Sequence, residues 1–174
     1  GHRTAHATEG DASRPAGAGQ PGADGRGRSP SGRPLVIGLD TNVLVRYLVQ
    51  DDPLQGAAAA DVIESRCTSE TPGRVDHVVL CELVWVLETA YGYSRELVGN
   101  VVRQVLGTAE LLVESPDLAW AALRAYESGP ADLADYLIGQ RNRAAGCETT
   151  LTFDQRAARS GLYTAVGPAS GEGR

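Results

Sequence analysis

An α/β sandwich, with a mainly parallel central sheet flanked by helices, is the fold that this sequence predicts. Three observations carry the prediction. Leu35-Val36-Ile37-Gly38-Leu39 is a short continuous apolar run of the kind shown by a strand buried on both faces. Helical segments of roughly 10 to 15 residues alternate with further short runs at Glu110 to Val113, Thr149 to Phe153 and Leu162 to Val166. The run at Leu35 to Leu39 ends in Asp40 and the one at Thr149 to Phe153 in Asp154, each at the edge where open parallel sheets place their sites.

The elements follow in order. Residues 1–34 contain no Val, Ile, Leu, Phe, Tyr or Trp and are rich in Gly, Pro, Ala, Ser and Arg, so nothing there offsets the entropy of ordering, and a disordered tail is expected. Its Arg14, Arg26, Arg28 and Arg33 either touch an acidic partner or serve solubility alone. Gly1-His2 in a chain without methionine reads as a cloning remnant, and no apolar stretch near the start resembles a signal peptide. The domain therefore runs over residues 35–174. After the first strand, Asp40 or Thr41 caps a helix through Val43, Leu44, Tyr47 and Leu48, and Asp52-Pro53 opens a second one reaching Ile63. A turn at Thr71-Pro72-Gly73 leads into a long apolar helix from about Val78 to Tyr91, closed near Gly92. Helical spacing returns over Glu96 to Leu106, over Pro116 to Tyr126, and over Ala131 to Ala145, the last stopped by Gly146.

With 174 residues, 42% of them apolar, and a net charge of −6, the chain fits one soluble globular domain with appendages. The longest apolar candidate, Val78 to Leu87, is interrupted by Glu82, which excludes a membrane-spanning helix. All 16 basic residues are arginine. Phosphate-loop enzymes, Schiff-base enzymes, haloacid-type phosphatases and phosphoacceptor receiver domains all require a lysine, so those classes are excluded. Asp51-Asp52 is accordingly no receiver site, and Asp52 reads as a helix cap. Cys67, Cys81 and Cys147 are odd in number and widely spaced, which argues against a disulfide framework and a zinc cluster and for a reduced, cytoplasmic chain.

Four acids stand where a solvated charge is out of place: Asp40, Glu82 within Val78 to Leu87, Asp135 in the helix after Pro130, and Asp154. Apolar residues surround Glu82 along its helix, which predicts a carboxylate facing protein, and an unpaired buried carboxylate costs several kcal/mol or holds a proton. Asp132 and Asp135 are three apart and share a helix face, where like charges repel unless a cation lies between them. An all-oxygen donor set of this kind suits a hard divalent cation, Mg2+ or Mn2+. Each acid also has a plainer account. Asp40 is a possible helix cap, Asp132 a first-turn acid, Asp135 a solvent-facing residue, Asp154 a turn residue, and Glu82 half of a buried pair with an arginine.

Ile37-Gly38-Leu39-Asp40-Thr41-Asn42-Val43-Leu44, Leu80-Cys81-Glu82-Leu83-Val84-Trp85, Ala131-Asp132-Leu133-Ala134-Asp135-Tyr136-Leu137-Ile138 and Gly146-Cys147 leading to Leu151-Thr152-Phe153-Asp154 stand in this order along the chain. Together they resemble the PIN-domain family, and within it the VapC-type toxin ribonucleases of type II toxin–antitoxin systems, over Leu35 to about Val166. The resemblance implies a PIN-like α/β/α sandwich and a metal pocket whose ligands are Asp40, Glu82, Asp135 and Asp154. It makes Asp132 an auxiliary acid, and Thr41, Asn42 and Thr152 polar residues that orient ligands or the attacking water. It also implies a homodimer held inactive by an antitoxin whose C-terminal segment lies in the acidic groove. The tail before Leu35 and Tyr136, at a position where a small residue is usual, depart from the family pattern.

The expected activity is an endoribonuclease in which carboxylates fix a divalent ion and the ion activates water, with one ion or two. One carboxylate, Asp135 or Asp154, is a candidate acceptor of the water's proton. Without its tail the domain is more negative still, an objection to a nucleic-acid ligand that bound cations relieve in part. Arg46, Arg74, Arg141, Arg143, Arg156 and Arg159 are candidates for a rim that holds the phosphate backbone of single-stranded or looped RNA, with solvated surface as their plainer reading. Trp85 and Leu83 read as core or subunit-contact residues rather than base-stacking partners. The rival is a catalytically silent PIN-like domain that docks a basic protein partner. A structure-specific DNA nuclease would need a larger basic platform than this chain has room for.

Overall fold

The computed structural model describes residues 35–167, so the tail over residues 1–34 lies outside the described residues, as do residues 168–174. The chain runs β1 (Ile37–Gly38), α1 (Thr41–Val49), α2 (Pro53–Ala60), β2 (Gly73–Val75), α3 (His77–Thr89), α4 (Arg95–Gly107), β3 (Leu111–Val113), α5 (Pro116–Ser128), α6 (Leu133–Ala144), β4 (Thr150–Thr152), α7 (Gln155–Ala158) and β5 (Tyr163–Ala165). It is an α/β sandwich with parallel strands.

The helices start where side chains can satisfy their free amides. Asp52 accepts from the amides of Leu54 and Gln55, both at 3.0 Å, and Pro53 takes the first helical position of α2. Asp76 caps α3 through the amide of Val79 at 2.9 Å, and Ser94 caps α4 through that of Leu97. Beyond Ala60 the second helix continues in π-helical form over Asp61–Arg66, so it extends past Ile63.

The sheet departs from the single one expected. β1, β2 and β3 form a parallel three-stranded sheet in that order, with Ile37 opposite Gly73 and Gly73 opposite Leu111. β4 and β5 form a separate parallel pair, with Leu151 opposite Thr164. β2 was not foreseen, because Gly-Arg-Val has neither the length nor the continuous apolar character of a recognisable strand. Close approach makes it possible: a Cβ at Gly73 would lie 2.7 Å from Leu39 and 2.9 Å from Cys67. The four-residue α7 also went unforeseen.

One core joins the layers. Leu44 from α1, Val75 from β2, Leu80, Leu83 and Leu87 from α3, Val98 and Val102 from α4, Leu123 and Tyr126 from α5, and Leu133, Tyr136 and Leu137 from α6 are all buried in it. Helix α3 touches α1, α4 and α6, which makes it the central helix of the arrangement. All three cysteines are free, Cys67 buried, Cys81 half-buried and Cys147 exposed. Among the described residues no helix is long and apolar enough to cross a membrane.

Candidate active site

Asp40 follows β1 and is exposed at the start of α1. Its main-chain carbonyl accepts from the amides of Val43 and Leu44, but its side chain makes no cap bond and instead accepts from Asn42 Nδ2 at 3.3 Å. The carboxylate is thus left free of the capping duty that the plainer account assigned to it. Thr41 is buried, and its hydroxyl donates to Glu82 Oε2 at 2.5 Å. That bond spans α1 and the middle of α3.

Glu82 requires a correction, because the structure exposes it rather than turning it into the protein. Val78, Glu82 and Trp85 project from the outward side of α3, Val78 at 75% exposure and Trp85 at 63%, while Leu80, Leu83, Val84 and Leu87 turn inward. Trp85 is therefore no core residue, whereas Leu83 is. Only one oxygen of Glu82 is engaged by Thr41, and solvent reaches the group.

The second group of acids lies on α6 and after β4. Asp132 stands at the N-terminus of α6, and its amide donates to Asp135 Oδ2 at 3.1 Å. Burial raises the Asp135 carboxyl above the usual carboxylate range, against the bond from the Asp132 amide; the charges of Asp132 and Asp154 push it further up, and Arg156 pulls it down. Asp154 follows β4, where its amide donates to Thr152 Oγ1 at 2.9 Å. Its carboxylate accepts from the amides of Arg156 at 2.6 Å and Ala157 at 3.4 Å, which holds it below the usual range and caps α7. Arg156 reaches back to Asp132 Oδ2 at 2.9 Å.

Cys81, next to Glu82 on α3, lines one cavity with Ala134 of α6, and burial followed by the charge of Asp135 pushes its thiol up to about 11. The structure therefore places Asp135 under the charges of both Asp132 and Asp154 and anchors Glu82 to Thr41, the residue that follows Asp40. Among the described residues no three His, Cys, Asp or Glu side chains stand as a ready-made ion-binding group. The donors themselves suit a hard divalent cation. They are carboxylate oxygens, and Asp135 carries an excess of neighbouring negative charge that an added cation would relieve.

Of the expected rim arginines, Arg46 is spent on Asp51 at 2.6 Å and Gln55 at 2.7 Å, and Arg141 on Glu114 at 3.0 Å and His77 at 2.8 Å. Arg74, Arg143 and Arg159 are exposed.

Several supporting residues escaped sequence reasoning. Arg95 donates to the carbonyls of Tyr126 at 2.5 Å and Ala131 at 2.7 Å and lies 4.0 Å over the Tyr126 ring, so it clamps the turn that leads to Asp132. Tyr163 donates to the Asp135 carbonyl at 2.6 Å, and burial followed by the Asp135 charge raises it to about 12. Glu114 accepts from the His77 amide at 3.1 Å and ties the start of α3 to Arg141 of α6. None of these three leaves a local pattern in the sequence, since each acts on main chain or on a residue more than 25 positions away.

The chain matches no curated protein and no solved structure. The family model described as the PIN domain does match, over residues 37–161, a span that contains all four strand-end and helix acids along with Thr41, Asn42, Asp132 and Thr152. With that span covering most of the chain, the protein belongs to the PIN-domain family.

Proposed function

We propose that the chain is a metal-dependent endoribonuclease, the toxin of a type II toxin–antitoxin pair of the VapC type, that cleaves single-stranded or looped RNA in the cytoplasm. Membership in the PIN-domain family supports a nuclease-type function. The observation that carries the reading further is the crowding of Asp132 and Asp154 about Asp135, a concentration of negative charge that Arg156, paired with Asp132, offsets in part.

In this reading Asp40, Glu82, Asp135 and Asp154 hold Mg2+ or Mn2+, and Asp132 assists. Bound there, the ion supplies charge neutralisation on the phosphoryl oxygens and a lowered pKa for the attacking water. The chain's own residues set the stage. Thr41 fixes one oxygen of Glu82, Asn42 steadies Asp40, and Thr152 holds the bend that presents Asp154. Arg74, Arg143 and Arg159 remain for phosphate contacts. A basic C-terminal segment of an antitoxin suits the acidic groove, and Val78 and Trp85 of α3 with the 49%-exposed Ile138 of α6 offer an apolar face to a second copy in a homodimer.

Total RNA incubated with the protein in Mg2+ or Mn2+, with and without chelator and read at nucleotide resolution, tests the reading. Discrete cuts that vanish with chelator and in Asp40→Asn are expected; cleavage unchanged by that substitution overturns it. That no three acids among the described residues stand as a ready-made ion-binding group favours the silent docking domain as a second reading. That alternative requires no cleavage and no divalent binding by titration calorimetry, together with binding of a basic peptide.

A further inference from the structure

Arg156 is joined to the acidic site twice. Its amide is held by Asp154, and its guanidinium spans back to Asp132 Oδ2 at 2.9 Å. Helix α7 begins immediately after Asp154, so the turn that presents one acid also delivers a positive charge to another. The same charge acts favourably on Asp135, whose carboxylate accepts from the Asp132 amide. Arg46 and Arg141 serve other carboxylates, which leaves Arg156 as the arginine that pairs with an acid of this site among the described residues.

We propose that Arg156 is an exchangeable counter-ion of the acidic site: it occupies Asp132 while no divalent ion is bound, competes with that ion for the carboxylates, and on displacement takes a phosphate of the RNA. The inference rests on the metal-dependent reading above. A guanidinium and a divalent cation repel, so the site cannot hold both at full strength within a few ångströms. Both partners of the Arg156–Asp132 pair are half-exposed, and such a pair is weak enough to exchange readily. The planar fork that grips a carboxylate fits a phosphate by the same geometry, and the strand entering the site brings that phosphate to the residue beside Asp154. Linkage makes the competition reciprocal: whatever Arg156 subtracts from metal affinity, bound metal subtracts from the pairing of Arg156 with Asp132.

Titration of the full chain with Mn2+ alone, by calorimetry, tests the competition. Arg156→Gln is expected to bind Mn2+ about fivefold more tightly than the parent chain, and Arg156→Lys, which keeps the charge, to stay close to it. Anisotropy of a labelled single-stranded RNA in Ca2+ is expected to show weaker binding and a shallower salt dependence for Arg156→Gln. Thermal melts of both variants establish that they fold. Mn2+ affinity that is unchanged or lowered in Arg156→Gln overturns the competition, and unchanged RNA affinity overturns the phosphate contact. If the parent chain itself binds no Mn2+, the metal-dependent reading fails, an outcome distinct from either of these.

Discussion

The Thr41 hydroxyl donates to Glu82 Oε2 across 41 positions of sequence, joining the first turn of α1 to the exposed side of α3. Thr41 is buried while Glu82 is not, so the protein holds the donor rigidly and lets the acceptor reach outward. Thr41→Val removes the donor at nearly constant shape. The expected result is a loss of divalent affinity and of RNA cleavage of about 10- to 100-fold, with Thr41→Ser retaining most of both. Calorimetry and the cleavage assay read the two quantities separately.

The raised Asp135 pKa gives a pH dependence of definite sign. The folded chain binds the Asp135 proton more tightly than the unfolded chain, so the metal-free protein loses stability from this group as pH rises from the ordinary carboxylate range through the raised value. Asp135→Asn removes that penalty. Without metal the variant is expected to melt a few degrees higher than the parent chain near pH 7, with the difference closing at pH values below the ordinary range. Saturating Mn2+ should reverse the order, since only the parent chain gains from the ion. Melting curves across pH in chelator and in Mn2+ measure both effects.

Gly129 and Tyr136 share one space. A Cβ at Gly129 would overlap the Tyr136 hydroxyl and approach the Ala125 carbonyl to 2.9 Å. Gly129→Ala is expected to cost about 2–3 kcal/mol through overpacking. Combining it with Tyr136→Phe should recover part of that loss, and denaturant unfolding of the two single variants and the double variant gives the coupling directly.

Arg95 pairs with two carbonyls at the turn between α5 and α6 and lies over the Tyr126 ring. Arg95→Ala leaves both carbonyls without their charged donor, and the expected cost is about 2–3 kcal/mol in denaturant unfolding. Because the turn leads into Asp132, hydrogen exchange at the amides of residues 131–136 should rise more than exchange elsewhere in α6. A uniform increase across the helix would contradict the clamp.

The strand-end acids were legible in the sequence because Asp40 and Asp154 each terminate an apolar run, and such a boundary is written locally. Glu82 was misread for an equally physical reason. An apolar residue at almost every position of α3 suggests a helix covered all round, yet Val78 and Trp85 lie seven apart on one face and that face stays open. β2 was invisible, since its three residues become a strand only when Leu39 donates to the Arg74 carbonyl and Glu114 donates to that of Val75. Tyr136 stood out as too large for its position, and the partner that accommodates it, Gly129, looked like an ordinary turn residue. The linkage of α3, β3 and α6 through Glu114 joins residues far apart in sequence, so no window of the chain contains it.

The division of the strands has a mechanical consequence. Asp40 hangs from the end of one ribbon of hydrogen bonds and Asp154 from the end of another, so no strand pairing sets the distance between these charges, and the packing of the helices sets it instead. A shift of one sheet relative to the other therefore changes the spacing of the two acids while every strand pairing within either sheet stays intact.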